Sequence, residues 1–347
     1  MRLLFDINHP VQAHVFRPVV DALRARGDEC RLVARDKDVT LGLLERFGQA
    51  AQVLAPIGRG PAGWLRELAL REARLLRLAR RTRPHLIVGT TVSGARVARL
   101  TGGRSVVVND DDASAVPFFR WLAYPLASVI VTPECLRHEG HARQRTYPGC
   151  QQLFYLHPRR FSADPDVRRE LGLEPDERYG LVRLSARAAH HDRGVRGLGE
   201  DTITRLQAAL GGRVRLFVSA ESALPPSLEP LRLPVEAHRI HDALALASFY
   251  VGDSQSMTAE AAVLGVPAFR LNDFVGRISY LRELEDVGLA RGFVPEQEDA
   301  LVAAIESEVS RPDPERADRR RRWLDRVGDP LPWFLQLLDE VAGPRAA

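Results

Sequence analysis

The sequence predicts an α/β protein of two similar halves, and three observations carry that prediction. Short apolar runs alternate with amphipathic helical patterns through both halves. The rhythm breaks once, at residues 147–175, where Pro148, Pro158, Pro165 and Pro175 fall among few apolar runs. The 347 residues, 45% of them hydrophobic, are enough for two domains that each bury a core. Short apolar strands separated by helices indicate parallel sheets covered on both faces.

In the first half, strands are expected at 2–7, 29–34, 85–88, 104–108 and 128–131, where apolar runs are bounded by turn formers. Helices are expected between them at 14–26, 39–47, 64–83, 93–100 and 116–124. After the proline-rich crossing, strands are expected at 179–184, 214–219, 249–251 and 267–271. Helices follow at 200–210, 241–247, 256–264, 278–287 and 296–309, and an arginine-rich helical tail begins at Pro314. The predicted domains are 1–155 and 156–347, with a return of the terminal helices to the first domain left open. Ligands of open α/β sheets sit at the carboxyl ends of strands, so the two halves are expected to face each other across a cleft.

Bulk properties exclude several classes. No apolar run reaches the roughly 18 residues of a spanning helix. The N-terminus lacks the long apolar region of a signal peptide. Cys30, Cys135 and Cys150 are scattered and lack metal-ligand spacing, which fits a reducing cytoplasm. Net charge is +4, and Lys37 is the only lysine, which disfavours lysine Schiff-base chemistry. The arginine surplus suits phosphate recognition and is too small to require nucleic acid.

The segment 249–272, FYVGDSQSMTAEAAVLGVPAFRLN, is the most informative. It reads as strand, polar turn, helix and strand, and so opens a helix N-terminus beside a strand end. The first N–H groups of a helix lack internal partners and carry the positive end of the macrodipole, a ready anion site. Ser254, Gln255 and Ser256 are the expected phosphate contacts, and Glu260, one turn deeper, the expected ribose contact. The plainer reading of Glu260 is an acid that complements the helix dipole.

Three further loops carry reactive groups. Asn8, His9 and His14 follow the first strand, and His14 is a candidate base because imidazole titrates near neutrality. Asn109, Asp110, Asp111 and Asp112 follow another strand; adjacent acids repel, which raises a pKa, and Asp111 is a second candidate base. Arg183, His190 and His191 lie in or after the first strand of the second half, where Arg183 would neutralise diphosphate charge and the histidines would serve catalysis. No glycine fingerprint for a dinucleotide follows the first strand, and no cofactor or metal is expected. Residues 64–83 form a basic amphipathic helix, packed on the sheet with a solvated arginine face or, in a sharper reading, touching an anionic membrane surface.

With these segments together, the chain resembles the DUF354 family. The resemblance runs from Met1 to about Leu289 and rests on FDINHPVQAHVFRPVV, the Ala34 to Asp36 triplet ARD, VVVNDDDAS, YPGCQQLFYLHPRRF, LVRLSARAAHHDRGVRGL and VGDSQSMTAEAAVLGVPAFRLNDFVGRISYLREL. That family is similar to sugar-nucleotide enzymes of the GT-B fold, among them glycosyltransferases and UDP-GlcNAc 2-epimerases. The resemblance implies two Rossmann-like domains, with Ser254, Ser256 and Glu260 in a nucleotide-sugar site. Such epimerases carry an acid after a middle N-domain strand, whereas Gly89–Ser93 here holds none. The expected function is a metal-independent glycosyltransferase using a UDP-sugar in surface or envelope carbohydrate synthesis, cytoplasmic and peripheral at the membrane if the 64–83 contact is made. Its acceptor would be a sugar or a lipid-linked sugar. A UDP-N-acetylhexosamine 2-epimerase is the alternative, and a non-catalytic nucleotide- or RNA-binding protein comes after it.

Overall fold

A computed structural model describes residues 1–37, 39–112, 114–185 and 197–343. In chain order the elements are β1 (Arg2–Ile7), α1 (Pro10–Ala25), β2 (Glu29–Ala34), α2 (Thr40–Arg46), β3 (Ala51–Val53), α3 (Gly60–Thr82), β4 (Leu86–Gly89), α4 (Val92–Thr101), β5 (Arg104–Val108), α5 (Pro117–Ala123), β6 (Val129–Pro133) and β7 (Gln144–Tyr147). Short helices α6 (Leu153–Leu156) and α7 (Val167–Glu170) follow. Then come β8 (Tyr179–Leu184), α8 (Glu200–Leu210), β9 (Arg215–Ala220), α9 (Ile240–Ala245), β10 (Phe249–Gly252), α10 (Gln255–Leu264), β11 (Ala268–Leu271) and α11 (Ser279–Asp286). The chain closes with β12 (Ala290–Phe293), α12 (Glu298–Ser310), α13 (Arg316–Val327) and α14 (Pro330–Ala342).

Two compact units result. Unit 1 comprises Met1–Tyr155 with the segment from Val327 onward, and unit 2 comprises Leu156–Arg326. The final helix α14 therefore belongs to unit 1, where it packs on α1, β4, β5 and β7.

Unit 1 is built on a seven-stranded parallel sheet of order β3-β2-β1-β4-β5-β6-β7. Right-handed crossovers place α1 and α2 on one face and α3, α4 and α5 on the other. The second face buries Leu4, Val33 and Ile87 against Leu75, Leu78 and Val97. The strand order reverses between β1 and β4. Gly89 lies there, and a Cβ at that position would meet the Asp6 carbonyl at 2.7 Å. The close approach of the two strands requires glycine.

Unit 2 is built on a five-stranded parallel sheet of order β12-β11-β10-β8-β9. Its order reverses between β8 and β10. One face buries Val182, Leu216 and Phe269 against Leu206 of α8 and Ile305 of α12. On the other, α10 packs between α9 and α11. Helix α10 is buried from Met257 through Val263, which leaves Gln255 and Ser256 of its first turn half-exposed. Gly265 ends it at φ 86°, a left-handed conformation that glycine adopts without strain.

Candidate functional site

The point where a parallel sheet reverses its strand order leaves a crevice, because the loops on either side run in opposite directions. In unit 2 that point lies beside the turn from β10 into α10. Ser254 is the N-cap of α10: its backbone is extended and its hydroxyl accepts from Met257 N at 3.3 Å. The helix therefore begins one residue before the expected start, and Gln255 and Ser256 hold its first two positions. Their N–H groups precede the helix's own hydrogen-bond ladder. Asp253 fixes the neighbouring strand end, its Oδ1 accepting from Ser185 N at 2.8 Å, and its carbonyl accepts from Asn272 Nδ2 at 2.9 Å.

Glu260 is buried, with a relative exposure of 5%. One carboxylate oxygen lies 3.2 Å from Nε2 of His241, a buried residue of α9. The ring of Phe161 stands edge-on to that imidazole, at 6.4 Å between centroids. The pairing with His241 was not legible in the sequence. The two residues belong to different helices, and no local spacing joins them.

Arg183 is held sideways. Its Nη1 donates to Ser219 Oγ and its Nη2 to Glu221 Oε1, both at 2.7 Å. A guanidinium already paired with a carboxylate has less charge to offer a diphosphate. His190 and His191 lie outside the described residues.

The corresponding point in unit 1 has a different content. Asp6 is fully buried and receives hydrogen bonds from Arg71 Nη2 and, at 2.6 Å, from Thr91 Oγ1. Asn8 Nδ2 also reaches Asp6 Oδ1, at 3.4 Å, and Asn8 N donates to Gln12 Oε1 at 2.7 Å. Thr91 in turn caps α4 by accepting from Gly94 N at 3.0 Å. His9 is the N-cap of α1, where its Nδ1 accepts from Val11 N at 3.4 Å. His14 lies in the second turn of that helix, half-buried between the rings of Phe47 at 5.3 Å and Tyr155 at 5.4 Å. The structure thus groups Asn8 with Asp6 and Thr91, while His14 stands a helical turn away among aromatic rings.

The loop after β5 holds the acids. Asn109 is buried and organises the turn, donating through Nδ2 to the Asp111 carbonyl at 2.8 Å and to the Tyr124 hydroxyl at 3.0 Å. Asp110 receives a hydrogen bond from Gln151 Nε2. Desolvation, and then the charge of Asp111, push the Asp110 carboxyl well above its ordinary value of 3.8. Asp112 is buried beside His138 and Glu139, with one ligand atom from each within 4.8 Å of the others. His138 Nδ1 lies 2.9 Å from the Cys135 carbonyl. This is the one group of metal-ligating type found among the described residues.

A scan of protein-family models finds no match, and no curated protein matches in sequence. The likeness to DUF354 therefore rests on the motifs. Solved structures do match in fold. A UDP-GlcNAc 2-epimerase from Neisseria meningitidis, bound to UDP-GlcNAc, superposes with a TM-score of 0.69 at 14% identity, over 98% of this chain and 99% of that one. A spinosyn rhamnosyltransferase complexed with spinosyn aglycone gives 0.64 at 17% identity, over 98% and 100%. A UDP-GlcNAc 2-epimerase from Methanocaldococcus jannaschii, in complex with UDP-GlcNAc and UDP, gives 0.62 at 16% identity, over 94% and 100%. The chain has the GT-B-like fold of two Rossmann-like units.

Proposed function

We propose that the chain is a glycosyltransferase of the DUF354 type that takes a UDP-sugar as donor and works without a metal ion, in the synthesis of surface or envelope carbohydrate. One observation carries this reading. The mouth of α10 opens at the strand-order reversal of unit 2, with N–H groups available to an anion and a buried carboxylate one turn deeper. A nucleoside diphosphate has the matching chemistry: diphosphate for the amides, ribose hydroxyls for Glu260. His241 would hold that carboxylate in position. The acceptor hydroxyl attacks the sugar's anomeric carbon, its proton passes to a carboxylate, and UDP departs with the bonding electrons. Asp110, whose carboxyl desolvation and the Asp111 charge push up, and Asp111 beside it are the candidates for that carboxylate.

A second reading is a UDP-N-acetylhexosamine 2-epimerase, favoured by the two epimerases whose folds span nearly the whole chain. Against it, the loop after β4 carries Thr90 and Thr91 rather than an acid, and Asp6 nearby is paired with Arg71. Incubation with UDP-N-acetylglucosamine in deuterium oxide separates the readings. A transferase is expected to leave hydrogen at C2 and to release UDP only with an acceptor, equally well with or without EDTA. Deuterium at C2 would establish the epimerase instead. Loss of turnover in EDTA would overturn metal independence and point to Asp112, His138 and Glu139.

A further inference from the structure

The first turns of α3 are built inside out. Glu67 and Arg71 face the interior, while Trp64, Leu65 and Leu68 face solvent at 52, 59 and 40% exposure. Both inward charges are fastened. Glu67 accepts from Arg35 Nη2 and from Gly58 N, each at 2.9 Å, and Arg71 pairs with Asp6. The helix cannot roll its apolar side inward without leaving those charges unpaired. Helix α5 also turns apolar side chains to solvent. Phe119 and Ala123 pack inward, while Phe118, Trp121 and Leu122, at i, i+3 and i+4, stand outward at 77, 73 and 42% exposure. The two helices flank α4 on one face of the sheet, and both begin just beyond the carboxyl ends of strands.

We propose that this α3–α5 face of unit 1 docks on an anionic lipid bilayer. The charge pattern selects that occupant. From residue 54 to 133 the only acids are Glu67, Glu72 and the aspartates at 110 to 112. Glu67 is buried, Glu72 is paired with Arg96 at 3.0 Å, and the aspartates belong to the β5 loop. Exposed Arg59 and Arg66 border the α3 cluster. Aromatic and leucine side chains rimmed by arginine suit the headgroup boundary, where the apolar groups enter the acyl region and the guanidinium groups meet phosphate. A second copy of the chain suits it poorly, because a two-fold interface would set this arginine-bearing patch against itself. Among the described residues no helix is long and apolar enough to cross a membrane, so the contact lies on the surface.

The test is flotation of the full chain with vesicles of phosphatidylcholine alone or with added phosphatidylglycerol. Anionic vesicles are expected to capture the protein, neutral ones far less, and salt is expected to weaken capture. A Trp64→Ser, Trp121→Ser double variant is expected to lose roughly tenfold or more in affinity, with an unchanged circular dichroism spectrum. Failure of anionic vesicles to capture the wild-type chain, or equal capture of the double variant, would overturn the proposal. So would self-association of the wild type in sedimentation that the double variant abolishes. None of these readouts depends on the sugar-transfer reading.

Discussion

The two strand-order reversals are the same architectural device with different linings. In unit 1 the reversal between β1 and β4 is lined by Asp6, Arg71, Thr91 and Asn8, the last three each donating a hydrogen bond to the Asp6 carboxylate. In unit 2 the reversal between β8 and β10 opens on the first turn of α10, with its carboxylate set one turn deeper. The acids at 110 to 112 lie one strand along, in the loop after β5. The same topology thus carries an ion-paired cluster in one unit and the first turn of a helix in the other.

Three substitutions can break or sharpen that contrast. The largest effect is expected at Asp110. Asp110→Asn should lower turnover by roughly 10²–10⁴ if the carboxylate accepts the substrate proton. Its raised pKa gives the stability sign. The contribution of Asp110 to folding is fully present below the unfolded value near 3.8 and is lost as pH rises through the higher folded value. At neutral pH the variant should therefore melt higher than the wild type while turning over more slowly. A lower melting temperature would make Asp110 a structural residue.

Next comes Asp6→Ala, which leaves Arg71 buried without its partner. Urea unfolding should show a loss of about 3–5 kcal/mol, and calorimetric UDP affinity should be unaltered. A loss of UDP affinity with little loss of stability would move the ligand into the reversal of unit 1. The smallest effect is expected at Glu260→Gln, which keeps the shape and removes the charge. UDP affinity should fall by roughly ten- to a hundredfold, the equivalent of about 1.5–3 kcal/mol for a hydrogen bond to a charged group. Unchanged affinity together with reduced stability would leave Glu260 as a packing partner of His241.

What was legible in the sequence follows burial. The strands Arg2–Ile7, Glu29–Ala34, Arg104–Val108 and Tyr179–Leu184 stand where their apolar runs place them. Three strands escaped notice: Ala51–Val53, Gln144–Tyr147 and Ala290–Phe293. Each lies at an end of its sheet, where one side lacks a partner and the apolar demand that marks a central strand is relaxed. Helix α1 begins at Pro10, four residues ahead of expectation, so His9 became a cap and His14 moved from the first helical position into the second turn. Proline at the first helical position was the overlooked signal. For the sites, the sequence marks which strand ends carry polar groups but not how those groups pair. Asp6 finds Arg71 and Thr91, and Glu260 finds His241, through tertiary packing alone.

The placement of α14 has a consequence for biogenesis. Unit 2 is one uninterrupted stretch of chain, whereas unit 1 takes its last helix from residues 330–342. In chain order, then, all of unit 2 is synthesised before Phe334, Leu337 and Leu338, the α14 side chains that complete the core of the earlier unit.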